Sequence, residues 1–177
     1  MKVEKAIQGL ETTKKYLDKK IKWDKLTEIL DSIRYAPSAG DLQNWKIITI
    51  QGEEIKQKLA KFSYDQLWIS KASAILVVSN DQSEVKRMFK KKADFYSTQS
   101  CAAGIQNLLL RATSLGIDSA WVRTFNAERI RSLLKIPEDM KIDALITLGY
   151  ADSREPQPKI NELKNIVYFE EWGKSEL

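Results

Sequence analysis

From Thr98 to Leu115 the chain reads TQSCAAGIQNLLLRATSL, and its apolar residues run almost all the way round a helix. Cys101, Ile105, Leu108, Ala112 and Leu115 recur at spacings of four and three, the period of one helical face. Ala102, Ala103, Leu109 and Leu110 widen that face. A surface helix needs a single apolar stripe, so this one must be covered on most sides. The small residues of CAAG, 101 to 104, would let another backbone approach closely, and Gly116 is a natural C-terminal stop. A chain of 177 residues has room for one such central helix. It could also pack against its copy in a second subunit.

Around this helix the other patterns alternate. A weak helical pattern lies within residues 2 to 10. A second runs from about Lys25 to Tyr35, with Leu26, Ile29, Leu30 and Ile33 on one stripe, Asp24 as its expected N-cap, and Pro37 ending it. KIITIQ, 46 to 51, predicts a strand, and EEIKQKLAKF after it a short helix. SAILVVS, 73 to 79, is a continuous apolar run of the kind that suits a central strand buried on both faces. DSAWVRTF, 118 to 125, predicts a strand entering a loop. NAERIRSLLKI predicts a helix capped by Asn126, and IDALITLGY, 142 to 150, a further strand. The expected architecture is three-layered and mixes α with β. No repeat or Pro/Gly-rich linker interrupts it, which favours one domain over residues 1–177. The last stretch, ADSREPQPKINELKNIVYFEEW, is too long and too apolar at its end for a discarded tail, and is expected to wrap around something, a partner subunit among the candidates.

Two absences limit the chemistry. There is no histidine, so Ser-His-Asp and Cys-His arrangements, His-ligated metals and His general bases are all excluded. Cys101 is the single cysteine, which excludes an intramolecular disulfide and a Cys-rich zinc site. Cys101 itself lies on the apolar stripe and reads as core. The net charge of +5 suits an anionic small molecule. Lysines are scattered, with short clusters at Lys14-Lys15, Lys19-Lys20 and Lys90 to Lys92, and no nucleic-acid signature accompanies them. No run approaches the length of a membrane helix and no secretory signal opens the chain, so the expected compartment is the cytoplasm. Neither GxGxxG nor GxxxxGK[ST] is present, which weakens dinucleotide-binding Rossmann and P-loop readings.

Three stretches remain: TTKKY at 12 to 16, APSAGDLQNW at 36 to 45, and QNLLLRATSLGIDSAWVRTF at 106 to 125. In this order and spacing, with LGY and a late Lys159 behind them, the sequence resembles the nitroreductase family of FMN-dependent oxidoreductases, across residues 10 to about 170. The resemblance implies an α+β fold with a central mixed, mainly antiparallel sheet flanked by helices. It also implies a homodimer with two FMN molecules at the subunit interface, and a C-terminal segment crossing to the partner. Carried over position by position, Thr12 and Lys14 take the FMN phosphate, with Lys159 as the late basic ligand. Pro37, Ser38, Ala39 and Gly40 pass along the flavin ring, where small side chains let backbone groups approach. Gln43 either bonds the flavin or holds the loop, and Trp45 is core. Trp121, Val122 and Arg123 meet the opposite edge of the ring, unless Trp121 merely packs and Arg123 forms an ordinary salt bridge. Lys14 taken alone would be an exposed surface lysine.

The implied activity is ping-pong transfer of electrons from NAD(P)H through flavin N5 to nitroaromatics, quinones or similar acceptors. No side chain is then needed as an acid or base, and no catalytic residue is assigned. The chain departs from the family pattern at Leu10 and Glu11, where basic residues are common, at Asp41 and Asn44 in the loop, and at Ser100 on the central helix. The first pair lowers the positive charge at the phosphate, and keeps open an alternative in which the chain stores or senses FMN without efficient turnover. Asp41 would reshape the substrate pocket or disfavour anionic substrates. A specialised enzyme with a lid over the flavin is a third reading, and the span from Lys71 to Gln99 leaves little room for one.

Overall fold

Ten regular elements order the chain in the computed structural model, which describes residues 1–153 and 159–175. They are α1 (Val3–Gln8), α2 (Trp23–Asp31), β1 (Trp45–Ile50), α3 (Glu53–Phe62), β2 (Ala74–Asp81), α4 (Ser83–Phe89), α5 (Ala93–Ser114), β3 (Asp118–Val122), α6 (Ala127–Leu134) and β4 (Met140–Gly149). The strands form one sheet in the order β1-β2-β4-β3, each pair antiparallel. A parallel contact enters through an isolated bridge between Thr12 and Ser119. Residues 74–79 of the run at 73–79 lie inside β2, the strand between β1 and β4, and all six are buried, while Ser73 is partly buried before the strand begins.

Alternation along the strands separates two cores. Leu76, Val78, Ala144, Ile146 and Leu148 face α2 and α5, packing on Leu26, Ile29, Cys101, Ile105, Leu108 and Ala112. Ile75, Val77 and Leu145 face the other way, onto Leu59 and Ala60 of α3 and Ile130 of α6. The molecule is therefore helix, sheet and helix in three layers, as the alternating patterns predict.

The long helix α5 starts at Ala93, five residues before the predicted Thr98, because its first turns bury small residues, Ala93 and Ser97, that make no apolar stripe. Its small-residue stretch does admit a close neighbour. A Cβ on Gly104 would sit 2.6 Å from Ile33 Cγ1, so what fits there is a side chain rather than a second backbone. Cys101 is fully buried, and burial pushes its thiol well above the ordinary range.

Two local expectations are corrected. Helix α2 begins at Trp23 with Lys22 as its N-cap, so Asp24 lies in the first turn, where it still complements the helix dipole. The helix then ends at Asp31 and tightens into a 3-10 turn, Ser32–Tyr35, before Ala36 is drawn into extended backbone by Pro37. Asn126 caps α6 as expected, its Oδ1 accepting the Arg129 N–H at 3.0 Å. Helix α4 has no counterpart in the sequence patterns, because Val85 is its one buried residue.

Residues 159–175 lie mostly exposed on the outside of this chain. Pro156 and Pro158 fall outside the described residues. From 159 onward there is one 3-10 turn, Leu163–Asn165, and the side chains of Ile160 and Trp172 are 85% and 90% exposed. Among the described residues no helix is long and apolar enough to cross a membrane.

Candidate functional site

The loop from Ala36 to Trp45 is held in a tight coil by its own polar groups. Ser38 carbonyl accepts the Asp41 N–H at 3.0 Å, and Ser38 Oγ accepts the Gln43 N–H at 3.0 Å. Three residues adopt left-handed backbone: Gly40 (φ 62°), Asp41 (φ 54°) and Gln43 (φ 46°). Only the first is glycine, so the fold imposes strain at the other two. Ser100 on α5 anchors the coil. Its Oγ accepts the Ala39 N–H at 3.0 Å and donates to the Tyr96 carbonyl at 2.9 Å. Asn44 is buried, and its Nδ2 donates to the Asp81 carbonyl at 3.0 Å and to Ser97 Oγ at 3.2 Å. It therefore fastens the loop to β2 and α5, and does not reach substrate space. Trp45 is buried in the core, as expected.

Together the loop and α5 frame an open cleft of about 260 Å³, lined by Pro37, Ser38, Ala39, Tyr96, Gln99, Ser100 and Ala103. Gln99 and Tyr96 are absent from the sequence-based site. Their signal was their spacing on α5, one turn and one residue before Ser100 and Ala103. The Ala39 N–H, expected to face a ligand, is taken by Ser100. Among the described residues the N–H groups of Ser38 and Gly40 have no protein acceptor and remain available. Gln43 is exposed, and its Nε2 donates to Asp41 Oδ1 at 3.3 Å.

The second set of predicted residues lies on β3. Residues 12 to 14 run beside this strand, with the Thr13 N–H donated to the Ser119 carbonyl at 3.0 Å. Alternation turns Thr13 inward and leaves Thr12 and Lys14 exposed on a common outward face. The segment is clamped further on, where Tyr16 hydroxyl bonds Thr147 Oγ1 at 2.7 Å. Its ring occupies the space above Gly149, where a Cβ would fall 2.5 Å from Tyr16 Cδ1. Burial pushes the Tyr16 phenol well above its ordinary value. The Arg123 guanidinium stacks on Trp121, 4.8 Å from the ring, in place of the salt bridge considered from sequence. Val122 is buried in the core. Lys159 is exposed.

The two sets do not meet within one chain. Trp45, where the loop enters the sheet on the edge strand β1, pairs with Asn80 of β2. Ser119, beside Thr12, lies on the opposite edge and opposite end, paired with Leu148 across from Ala74. Three strand spacings and six residues separate them, about 14 Å across and about 20 Å along the sheet.

An FMN molecule presents phosphate and ring acceptors, which sets a test for these residues. Thr13 Oγ1, Ser119 Oγ and Trp121 Nε1 are all buried donors without a hydrogen-bond partner. Unmet donors of this kind are uncommon in a finished interior. Thr13 is bonded to Ser119, and Ser119 and Trp121 share one face of β3, so the three form a group of unmet donors that acceptor oxygens would satisfy, and the donor chemistry fits the group.

Comparison with known proteins agrees with this architecture. The nitroreductase family model matches residues 7–74 and 66–150. A protein of Archaeoglobus fulgidus described as "Putative NADH dehydrogenase/NAD(P)H nitroreductase" is 32% identical over 177 residues, covering 95% of this chain and 97% of its own. The "FMN reductase [NAD(P)H]" of Bacillus subtilis is 26% identical over 115 residues, 65% of this chain and 45% of that one. Among solved structures, a nitroreductase family protein from Clostridium novyi superimposes with a TM-score of 0.78 at 24% identity, covering 99% of this chain and 97% of the other. The chain belongs to the nitroreductase family, and its α+β fold is the fold of that family.

Proposed function

We propose that this chain is an NAD(P)H-dependent FMN oxidoreductase that reduces nitroaromatics, quinones or similar acceptors, acting as a homodimer of one domain per chain. The observation that carries the proposal is the separation of the two residue sets on opposite corners of the sheet. One chain's Thr12, beside Ser119, is too far from its own Pro37–Gln43 loop for the two to hold one flavin between them. A second copy, supplying the loop, completes the site. The exposed apolar side chains of 160–172 give the copies a means of holding on to each other, with the segment crossing to the partner.

FMN, when bound, supplies the two-electron carrier that the side chains of this protein lack. The chain's own residues bind, orient and exclude water. Lys14, Thr12 and Lys159 supply positive charge and a hydroxyl to the phosphate. The Ser38 and Gly40 N–H groups supply donors at the ring's polar edge. Arg123, held over Trp121, would supply a fixed positive charge that favours an anionic form of the bound group. Pro37, Ala39 and Ala103 give the cleft an apolar wall. Gln43, tied to Asp41, orients the loop.

The test is direct. The purified protein should be yellow, and NADH or NADPH added without oxygen should bleach it. Colourless protein that FMN cannot reconstitute would overturn the proposal. Yellow protein that neither nicotinamide bleaches would leave a module that holds FMN without turnover.

A further inference from the structure

The run Lys90-Lys91-Lys92 has no part in the site described so far, yet it is joined to that site through packed side chains. The end of α4 touches the loop. A Cβ on Gly40 would lie 2.6 Å from Met88 Sδ and 3.3 Å from Phe89 Cζ. The Phe89 ring meets Tyr96 edge-on, with centroids 4.9 Å apart, and Tyr96 lines the cleft. Directly after Phe89 the chain turns through Lys90, at φ 49° and ψ −119°, into a 3-10 turn made of the three lysines.

All three lysines are exposed, and among the described residues none forms an ion pair. The nearby acids are engaged elsewhere. Glu84 pairs with Arg87, Asp94 with Lys141 at 2.5 Å, and Asp41 accepts from Gln43. Three uncompensated ammonium groups thus stand immediately before α5, whose Tyr96, one turn after Lys92, lines the cleft. Beside them Phe95 and Met88 are 61% and 54% exposed, and the Phe95 ring lies 5.7 Å from Tyr96. Cations next to an aromatic and thioether surface suit a ligand that is both polyanionic and flat.

We infer that the Lys90–Lys92 turn binds the adenosine phosphates of the electron donor, and that the 2′-phosphate makes NADPH the preferred nicotinamide. The inference rests on the proposed function, since it places the donor's reactive end in the cleft and its phosphorylated end on the turn. A phosphate monoester adds about −1.5 to −2 charge near neutral pH, which NADH lacks. Each ammonium acts on it as a point charge. Exposed contacts of this type weaken with salt.

The experiment titrates the purified protein with 2′,5′-ADP and with 5′-AMP, two probes without nicotinamide. It repeats the titration at high salt and on the triple variant Lys90→Gln, Lys91→Gln, Lys92→Gln. Flavin content and thermal unfolding of the variant are recorded alongside. We expect 2′,5′-ADP to bind roughly 10-fold more tightly than 5′-AMP. We expect that advantage to disappear in the variant and shrink in salt, KM for NADPH to rise about 10-fold, and flavin content to stay unchanged. Wild-type protein that binds the two probes equally overturns the inference, as does a variant that binds 2′,5′-ADP like wild type. If the triple variant unfolds, Lys91→Gln alone is read by the same ratio. Protein that takes no FMN but still shows the lysine-dependent probe ratio would refute the proposed function and leave the anion site standing.

Discussion

Asp41 shows how much chemistry one residue can redirect. Its carboxylate is exposed on the loop, the backbone beneath it is strained at φ 54°, and it accepts a hydrogen bond from the amide of Gln43. A fixed negative charge beside the cleft raises the energy of an anionic acceptor more than that of a neutral one. Asp41→Asn should therefore raise kcat/KM for nitrobenzoate about 3-fold relative to uncharged nitrobenzene. A ratio that does not move would show that Asp41 acts only on loop shape. The departure at Asp41 was legible in the sequence, whereas its neighbour's role was not. Asn44 stood out only as a departure in the loop, because a primary sequence shows that a polar side chain is present but not that the Asp81 carbonyl and Ser97 lie within its reach. Ser100 was noticed as a departure for the same reason, and only the fold shows it taking the Ala39 N–H.

Among the elements, those whose sequence pattern carries their burial were readable and those held by other means were not. Strand β2 was evident from 73–79 because the five positions 74–78 are all apolar and both faces are covered. Helix α4 was invisible because one buried residue, Val85, makes no pattern. Its start depends instead on Asp81, whose Oδ1 accepts the Ser83 N–H at 2.9 Å. That bond, first the backbone and then the Ser83 side chain, holds the Asp81 carboxyl below its usual range. The sign follows from linkage: the stabilisation is present above the carboxylate's unfolded pKa and is lost as pH falls through the lower folded value. Asp81→Ala should cost about 1 kcal/mol at neutral pH, and the gap from wild type should close in acid. Urea unfolding at about pH 7 and about pH 3 measures both. A gap that persists at the lower pH would place the effect outside ionisation. At the far end of α6, Lys135 adopts left-handed backbone at φ 54° and ψ 40°. Lys135→Gly should stabilise the protein by about 0.5–1 kcal/mol, readable as a higher urea midpoint. A lower midpoint would mean that flexibility gained by the unfolded chain outweighs the relieved strain.

For the whole molecule, the sheet acts as a ruler. In the proposed dimer it keeps the two halves of the flavin site further apart than one chain can close, so assembly and cofactor binding would become one event. Deleting residues 159–177 should yield a species that sediments as a monomer and loses flavin on dilution. A truncated protein that stays dimeric and yellow would assign the interface to α5 and its neighbours alone. The sequence suggested that the tail wraps around a partner because its apolar residues had no core pattern to join, and Ile160 and Trp172 are indeed uncovered in the single chain.

Cys101 is the chain's single thiol, and it is sealed between α5 and the sheet. A thiol reagent can reach it only when that helix lifts away. The rate at which the sulfur is labelled therefore reports openings of the central layer with no group engineered into the chain. Because it does not depend on colour or turnover, this clock can be run with and without FMN, and the ratio of the two rates measures how strongly the cofactor locks the middle of the fold.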